Sequence, residues 1–373
     1  MKFDLKKLKS FMPEESQQRV WSELKSMFQQ KPLQTVRDAC TVWSEAKSFE
    51  SHSIIGNPVF NALGLHRFRV KTAADLAQKR RHYLAQFIDA EDVAQFQENG
   101  FILKENFLAD EEFQKLKHEL LNTQFDTRET LQGDTVTRRM ALDDKALKRV
   151  PVTKALLERL DWQHLINYVG SFKVQPMYYV QVILSHVRKA RPDPQTSLHS
   201  DTFHPSVKAW LFLSDVAEDQ GPFVYVPGSH KVNDARLAWE HNTALGINAK
   251  THAMTRRGSF RVSEDELKTM GYGTPQAFAV KSNTLVIADT YGFHARGKSS
   301  GESMRIELWA YARRNPFLPW VGLNPLSLPV VNRRLVPLYW KSLDFLEQKY
   351  QRNNPWKNVG QRIATDPAVI RSK

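Results

Sequence analysis

The stretch SLHSDTFHPSVKAW, residues 197–210, sets His199, Asp201 and His204 within six positions. Two imidazoles and a carboxylate that close can be a metal site, an ion-paired surface hairpin or a coincidence. Side chains alternate across a strand, so His199 and Asp201, two apart, project from the same side of the backbone, as two ligands of one ion must. His204, just before Pro205, does not share that face in a regular strand and reads as a pocket-lining or surface residue. A third ligand has to come from elsewhere. Among the twelve histidines, His294 is the persuasive one: in VIADTYGFHARGKS it follows an apolar strand and sits in a turn, where a ligand can face a cavity. Two histidines and one carboxylate on one face of an octahedron leave three positions open, which suits non-haem Fe(II) that takes a bidentate cosubstrate and then O2.

A 2-keto acid that chelates iron through its ketone and C1 carboxylate leaves a distal carboxylate some way off, and a guanidinium is its natural partner. Arg305 opens the strand MRIELWAYA eleven residues after His294, a distance that a tight turn can fold back into the same cavity. With H-x-D at His199–Asp201, Trp210 on the strand beyond it, GPFVYVPGSH at 221–230, the distal His294 and an arginine eleven positions later, the chain resembles the phytanoyl-CoA dioxygenase family of Fe(II)/2-oxoglutarate-dependent oxygenases. The resemblance spans roughly residues 95 to 315. It implies a double-stranded β-helix core, a jelly-roll or cupin-like variant, with His199, Asp201 and His294 as the catalytic metal ligands and Arg305 on the cosubstrate. Implied too are Fe(II), 2-oxoglutarate and O2 as cofactor and cosubstrates, with release of succinate and CO2. Trp210, Gln181 and Tyr179 are expected along the keto-acid pocket; the competing reading makes them ordinary sheet residues. In PGSH, Pro227 and Gly228 make a bend, and His230 is not needed as a ligand.

Two positions depart from or refine the pattern. Where the family often carries a small hydroxyl residue two after the distal histidine, this chain has Arg296, which either faces solvent or adds a cation near the site. Asp201 stands where related halogenases carry Gly or Ala, so the carboxylate ligand is kept and hydroxylation is favoured over halogenation.

The elements that must position these residues fall into two textures. Residues 1 to about 122 read as helical: 16–30 with Val20, Leu24 and Phe28 on one face, then 32–49, 72–88 and 109–122. Residues 53–70 break that rhythm with two glycines and a proline and then alternate briefly, and the FILK of 101–104 reads as a short strand. After about 170 the runs 177–187, 207–216, 223–230, 283–290 and 304–314 are β-branched or aromatic and bounded by turn residues. Many short strands point to a sandwich, jelly roll or related barrel rather than a βαβ array. The expectation is a mainly β fold with flanking helices: a helical N-terminal extension (1–94), a dioxygenase core (95–315) and a basic, aromatic C-terminal extension (316–373) that could wrap back over the core.

Composition sets the outer limits. Hydrophobic residues at 41% and charged residues at 25% are ordinary for a globular protein. One cysteine, Cys40, excludes an intramolecular disulfide and a thiolate zinc cluster and fits a reducing compartment. The start, MKFDLKKLKSFMPEE, has no apolar secretory region. The longest uncharged stretch, 315–332, carries four prolines and cannot be a spanning helix. The expected location is the cytoplasm.

Net charge is +13, which favours an anionic partner. From Arg296 to Lys373, fourteen Lys/Arg face five Asp/Glu, a surplus of nine. With the aromatics of FLPW, LYW and NPW, that surplus suits anionic lipid headgroups in peripheral membrane contact, or a phosphorylated carrier; the blander reading is a tail packing its aromatics on the core with its arginines outside. No nucleic-acid module accompanies the charge. The function read from the chain is hydroxylation of a small or lipid-like, anionic organic molecule. The competing classes are a binding protein that keeps the fold without turnover and an oxygenase acting on a macromolecule. Oligomeric state is open.

Overall fold

The computed structural model describes residues 14–325 and 328–370. The first thirteen residues, which carry most of the stretch lacking a secretory region, Leu326 and Ser327 of the uncharged stretch and the last three residues lie outside the described residues. The N-terminal part is helical: α1 (Glu14–Gln30), α2 (Pro32–Thr41), α3 (Leu65–Leu84), α4 (Ala90–Asn99) and α5 (Asp110–Asn122). The brief alternation expected near 65–70 is instead the first turns of α3, because Gly64, at φ +89°, turns the chain there and the residues after it take helical spacing. The strand expected in FILK is present as β1 (Phe101–Lys104).

Ten further strands follow: β2 (Phe125–Gln132), β3 (Thr135–Ala141), β4 (Met177–Ser185), β5 (Val207–Phe212), β6 (Phe223–Tyr225), β7 (Gln276–Phe278), β8 (Leu285–Asp289), β9 (His294–Arg296), β10 (Ser303–Ala312) and β11 (Lys357–Arg362). Eight form one antiparallel sheet in the order β1-β8-β5-β10-β4-β3-β2-β11, and a smaller sheet runs β7-β6-β9. Three longer helices complete the part used below: α6 (Leu160–Gly170), α7 (Asp234–Gly246) and α8 (Pro329–Tyr350).

The large sheet is buried on both faces, and β4 shows how the sequence divides them. Val180, Val182 and Leu184 join Leu116, Leu120, Trp162 and Leu165 in an aliphatic core under α5 and α6. The alternate residues on the other face include Tyr179 and Gln181. There Tyr179, Trp210 and Trp309 meet Phe223, Tyr225 and Phe278 from the small sheet. The space between the two sheets is therefore aromatic and polar, and the site lies in it.

Strands β2 and β3 escaped the sequence reading because their composition is charged. They tolerate burial because the charges meet each other. Arg138 and Glu129, both 0% exposed, pair with Nε and Nη2 donating to Oε1 at 3.0 and 2.7 Å. The same arginine donates to the carbonyls of Ala364, Asp366 and Pro367, and Glu129 Oε2 accepts the amides of Val369 and Ile370. The C-terminal segment is strapped to the sheet this way: α8 lays Trp340 beside Tyr179, at 6.2 Å between ring centroids, and β11 pairs with β2 and forms that edge of the sheet.

Candidate active site

His199 enters the space between the sheets on a short bridge and His294 on β9. The two residues exchange backbone hydrogen bonds, each N–H donating to the other's carbonyl at 2.9 Å. The amide of Asp201 donates to Thr290 O at 2.9 Å. Two chain segments distant in sequence are thereby locked as one antiparallel unit.

The side chains then converge. Asp201 Oδ1 lies 3.7 Å from His199 Nε2 and 3.6 Å from His294 Nε2, and the three potential ligand atoms fall within 4.8 Å of one another. Each imidazole has a backbone carbonyl at its other nitrogen: His199 Nδ1 lies 2.8 Å from Ser197 O and His294 Nδ1 2.9 Å from Gly292 O. A carbonyl only accepts, so the proton sits on Nδ1 and the lone pair of Nε2 faces the cluster, the tautomer that metal ligation needs. His294 Nε2 is buried with no hydrogen-bond partner among the described residues, a cost that a bound cation removes.

Electrostatics favour the ligating protonation states. Burial, then His294 and Arg261, hold the His199 pKa well below the ordinary imidazole value. Burial alone would push the Asp201 carboxyl up, but Lys208 and the two imidazoles outweigh it and hold it well below the usual carboxylate range. Lys208 Nζ sits 2.6 Å from Asp201 Oδ2, which leaves Oδ1 as the oxygen turned toward both histidines. These residues fit a divalent transition metal in a two-histidine, one-carboxylate face.

Beside this face lies a cavity of about 250 Å³, lined by all three residues and by Arg305, Gln181, Trp210, Arg139, Lys208, Arg296, Trp309 and Trp356 among others. Arg305, 5% exposed, reaches it from β10. Its Nε donates to Glu307 Oε2 at 2.8 Å and its Nη1 to Gly221 O. Gln181 Nε2 ties the other oxygen of Glu307 at 2.7 Å. Trp210 stacks near Phe223, with centroids 4.3 Å apart. Tyr179, expected in the pocket, is not among its lining residues. It is covered by Trp309 and Trp340, and burial pushes its phenol up to about 12. Arg296 takes the cavity position rather than solvent: it pairs with the buried Asp193 and donates to Thr137 Oγ1 at 3.2 Å. His204 is fully buried away from the cavity, with Nδ1 on Pro205 O at 2.9 Å. His230 packs against Phe96 and Gly228, at φ +77°, makes the PGSH bend.

Among what the sequence reading missed are three lining residues, Lys208, Arg139 and Trp356, and the carboxylate behind Arg305. Lys208 was within reach of it, being two before Trp210 on the same strand. Glu307, the buried carboxylate that holds Arg305, stands two after it. Arg139 and Trp356 carried no local signal, since their relation to the metal face depends on strand order.

The donor set, its tautomers and an arginine across the same cavity are those of a non-haem iron, 2-oxoglutarate-dependent dioxygenase, and comparison with known proteins gives the same class. Residues 96–261 match the family model described as phytanoyl-CoA dioxygenase (PhyH). The match includes His199 and Asp201; His294 and Arg305 lie beyond it and join the site through β9 and β10. Ectoine dioxygenase of Bordetella bronchiseptica is 26% identical over 285 residues, 67% of this chain and 84% of its own length. Among solved structures, the epimerase SnoN of nogalamycin biosynthesis is 18% identical with a TM-score of 0.39, over 66% of this chain and 93% of that one. EctD from S. alaskensis with bound Fe is 15% identical with a TM-score of 0.37, over 65% and 84%.

Proposed function

We propose that the protein hydroxylates a small, anionic organic molecule, with Fe(II) held by His199, Asp201 and His294 and 2-oxoglutarate held by Arg305. The two facing sheets are read as a double-stranded β-helix. The observation that carries the proposal is the convergence of three ligand atoms within 4.8 Å on a cavity that Arg305 also lines. Iron and 2-oxoglutarate, when bound, supply the oxidation of substrate by O2, coupled to decarboxylation of the keto acid to succinate and CO2.

The chain contributes geometry and charge. Gly292 and Ser197 carbonyls hold the two imidazoles in the ligating tautomer, Lys208 turns Asp201, and Glu307, itself tied by Gln181, fixes the Arg305 guanidinium that would pair with the keto acid's distal carboxylate. Trp210, Trp309 and Phe223 keep water from the space between. A small substrate is supported by the cavity's size and by the relative named for ectoine. An anionic one is supported by the four cations on its wall, Arg139, Lys208, Arg296 and Arg305. Among the described residues no helix is long and apolar enough to cross a membrane. We assign the protein to the cytoplasm on its single free cysteine, Cys40.

The test is anaerobic reconstitution with Fe(II) and 2-oxoglutarate, following the visible metal-to-ligand charge-transfer band. The wild type is expected to show it, His199→Ala to lose it, and Arg305→Ala to need far more 2-oxoglutarate. Absence of the band from metal-replete wild type defeats the proposal and favours a binding protein.

A further inference from the structure

Three of the four cavity cations have a carboxylate of their own: Lys208 has Asp201, Arg296 has Asp193 and Arg305 has Glu307. Arg139 has none within 4.0 Å among the described residues. Its Nε donates to Gln181 Oε1 at 3.2 Å, and its two terminal nitrogens make no hydrogen bond to described residues. The guanidinium carbon lies 4.3 Å from the ring centre of Trp309, 4.7 Å from that of Trp356 and 5.2 Å from that of Tyr179. With three rings close to the guanidinium carbon and only Nε hydrogen-bonded, the terminal N–H groups are what is left for a ligand.

The geometry points to Arg139 as the anchor for a monocarboxylate on the substrate, with Trp309 and Trp356 forming the walls for the apolar or flat body that carries it. This rests on the dioxygenase reading above and deepens it. Arg139 pairs across the sheet with Gln181, and Arg305 with Ile183. The two arginines thus stand two strands and one same-face step apart, roughly 12 Å between Cα positions by standard strand spacings. They serve two different anions: Arg305 the cosubstrate, Arg139 the substrate. Charge sets the valence. The three ion pairs cancel within the wall and a divalent metal cancels dianionic 2-oxoglutarate, so the surplus left for substrate is the single charge of Arg139. A carboxylate matches it, and two parallel hydrogen bonds to the guanidinium fork fit it. Trp356 comes from the segment between α8 and β11, so the C-terminal extension is part of the substrate end.

The probes are benzoate, phenylacetate and indole-3-acetate, with 2-phenylethanol as the uncharged control and phenyl phosphate as the dianion. Each is titrated anaerobically into the full chain loaded with Fe(II) and 2-oxoglutarate, reading the charge-transfer band and tryptophan fluorescence. A monocarboxylate is expected to perturb both signals in wild type. Its apparent Kd should rise at least tenfold in Arg139→Gln and less in Arg139→Lys, while the 2-oxoglutarate midpoint stays within twofold and 2-phenylethanol is indifferent to the substitution. The retained band shows that the variant is folded with its metal face assembled. Equal carboxylate binding by Arg139→Gln, no binding by any monocarboxylate, tighter binding of phenyl phosphate, or a matching loss of 2-oxoglutarate affinity each overturns the assignment. Absence of the band in wild type removes the dioxygenase reading itself, and this inference with it.

Discussion

Tyr225 and Gly292 approach each other so closely that a Cβ placed on Gly292 would lie 1.9 Å from the tyrosine hydroxyl oxygen. That hydroxyl is committed, donating to Asp289 O at 2.8 Å, and the Gly292 carbonyl accepts from His294 Nδ1 at 2.9 Å. The small sheet therefore presses on the turn that sets the third ligand's orientation, and only glycine leaves the room.

Gly292→Ala is accordingly expected to displace that turn. Fe(II) affinity, measured by anaerobic titration, should fall by about 10- to 100-fold, the usual cost of disturbing a ligand's outer hydrogen bond. Thermal unfolding of the metal-free protein should report a smaller loss, about 1–3 kcal/mol for overpacking. Unchanged iron affinity would mean that the turn does not orient His294.

Glu307 is 0% exposed and accepts from both Arg305 and Gln181. Glu307→Gln leaves the metal face alone but frees the Arg305 guanidinium. The 2-oxoglutarate concentration needed for half the charge-transfer band should rise by about 10- to 100-fold, or about 1.4–2.7 kcal/mol, with iron affinity unchanged. A drop in iron affinity instead would put Glu307 in the metal shell.

Glu240 ties the N-terminal helices to the core: its Oε2 lies 2.8 Å from His66 Nε2 on α3, and its Oε1 accepts from Arg236 Nε at 3.1 Å on α7. Burial pushes its carboxyl up, but Arg236 and His66 outweigh that and the pKa is lowered. A carboxyl depressed in the folded state contributes its full stability above its unfolded value of about 4.3. That contribution is lost as pH falls below this value and through the folded pKa. Denaturant midpoints of wild type should therefore drop more steeply below pH 4.5 than those of Glu240→Gln. At pH 7 the variant should be about 3–5 kcal/mol less stable, the cost of leaving a buried partner charge uncompensated.

Truncation after Gln351 removes Trp356, β11 and the segment that caps Arg138 and Glu129. Unfolding free energy is expected to fall by several kcal/mol from that buried pair's lost backbone partners. If the truncated chain remains folded by circular dichroism, it should still form the 2-oxoglutarate band, since Arg305 and Glu307 do not touch the segment removed. Loss of the band from a folded truncation would place the extension in the cosubstrate site.

The metal ligands were legible because their signals are local. His199 and Asp201 share a face by strand alternation, and His294 follows an apolar strand into a turn. Arg305 was legible as a spacing from His294. The main strands after residue 170 were legible as β-branched and aromatic runs. Strands β2 and β3 were not, since TRETLQ and TVTRRMA read as exposed until their charges find cover, Arg138 in its pair with Glu129 and Arg139 beside Trp309, Trp356 and the Gln181 amide. The long helix α8 hid behind Pro329 and the interior Pro337.

Tertiary structure alone decided the rest. Tyr179 and Gln181 share one strand face, yet only Gln181 reaches the cavity, because Trp340 from α8 covers the tyrosine. Arg296 became a cavity cation because Asp193 is placed to receive it. Arg139 and Trp356 face the substrate end because β3 is seated beside β4 and the chain's last segment returns to the edge of β2. Alternation along a strand is fixed by the covalent chain, and so the sequence by itself determined which side chains could be ligands. Which strands stand side by side is set by non-local pairing and burial, and so only the folded molecule determined what surrounds them.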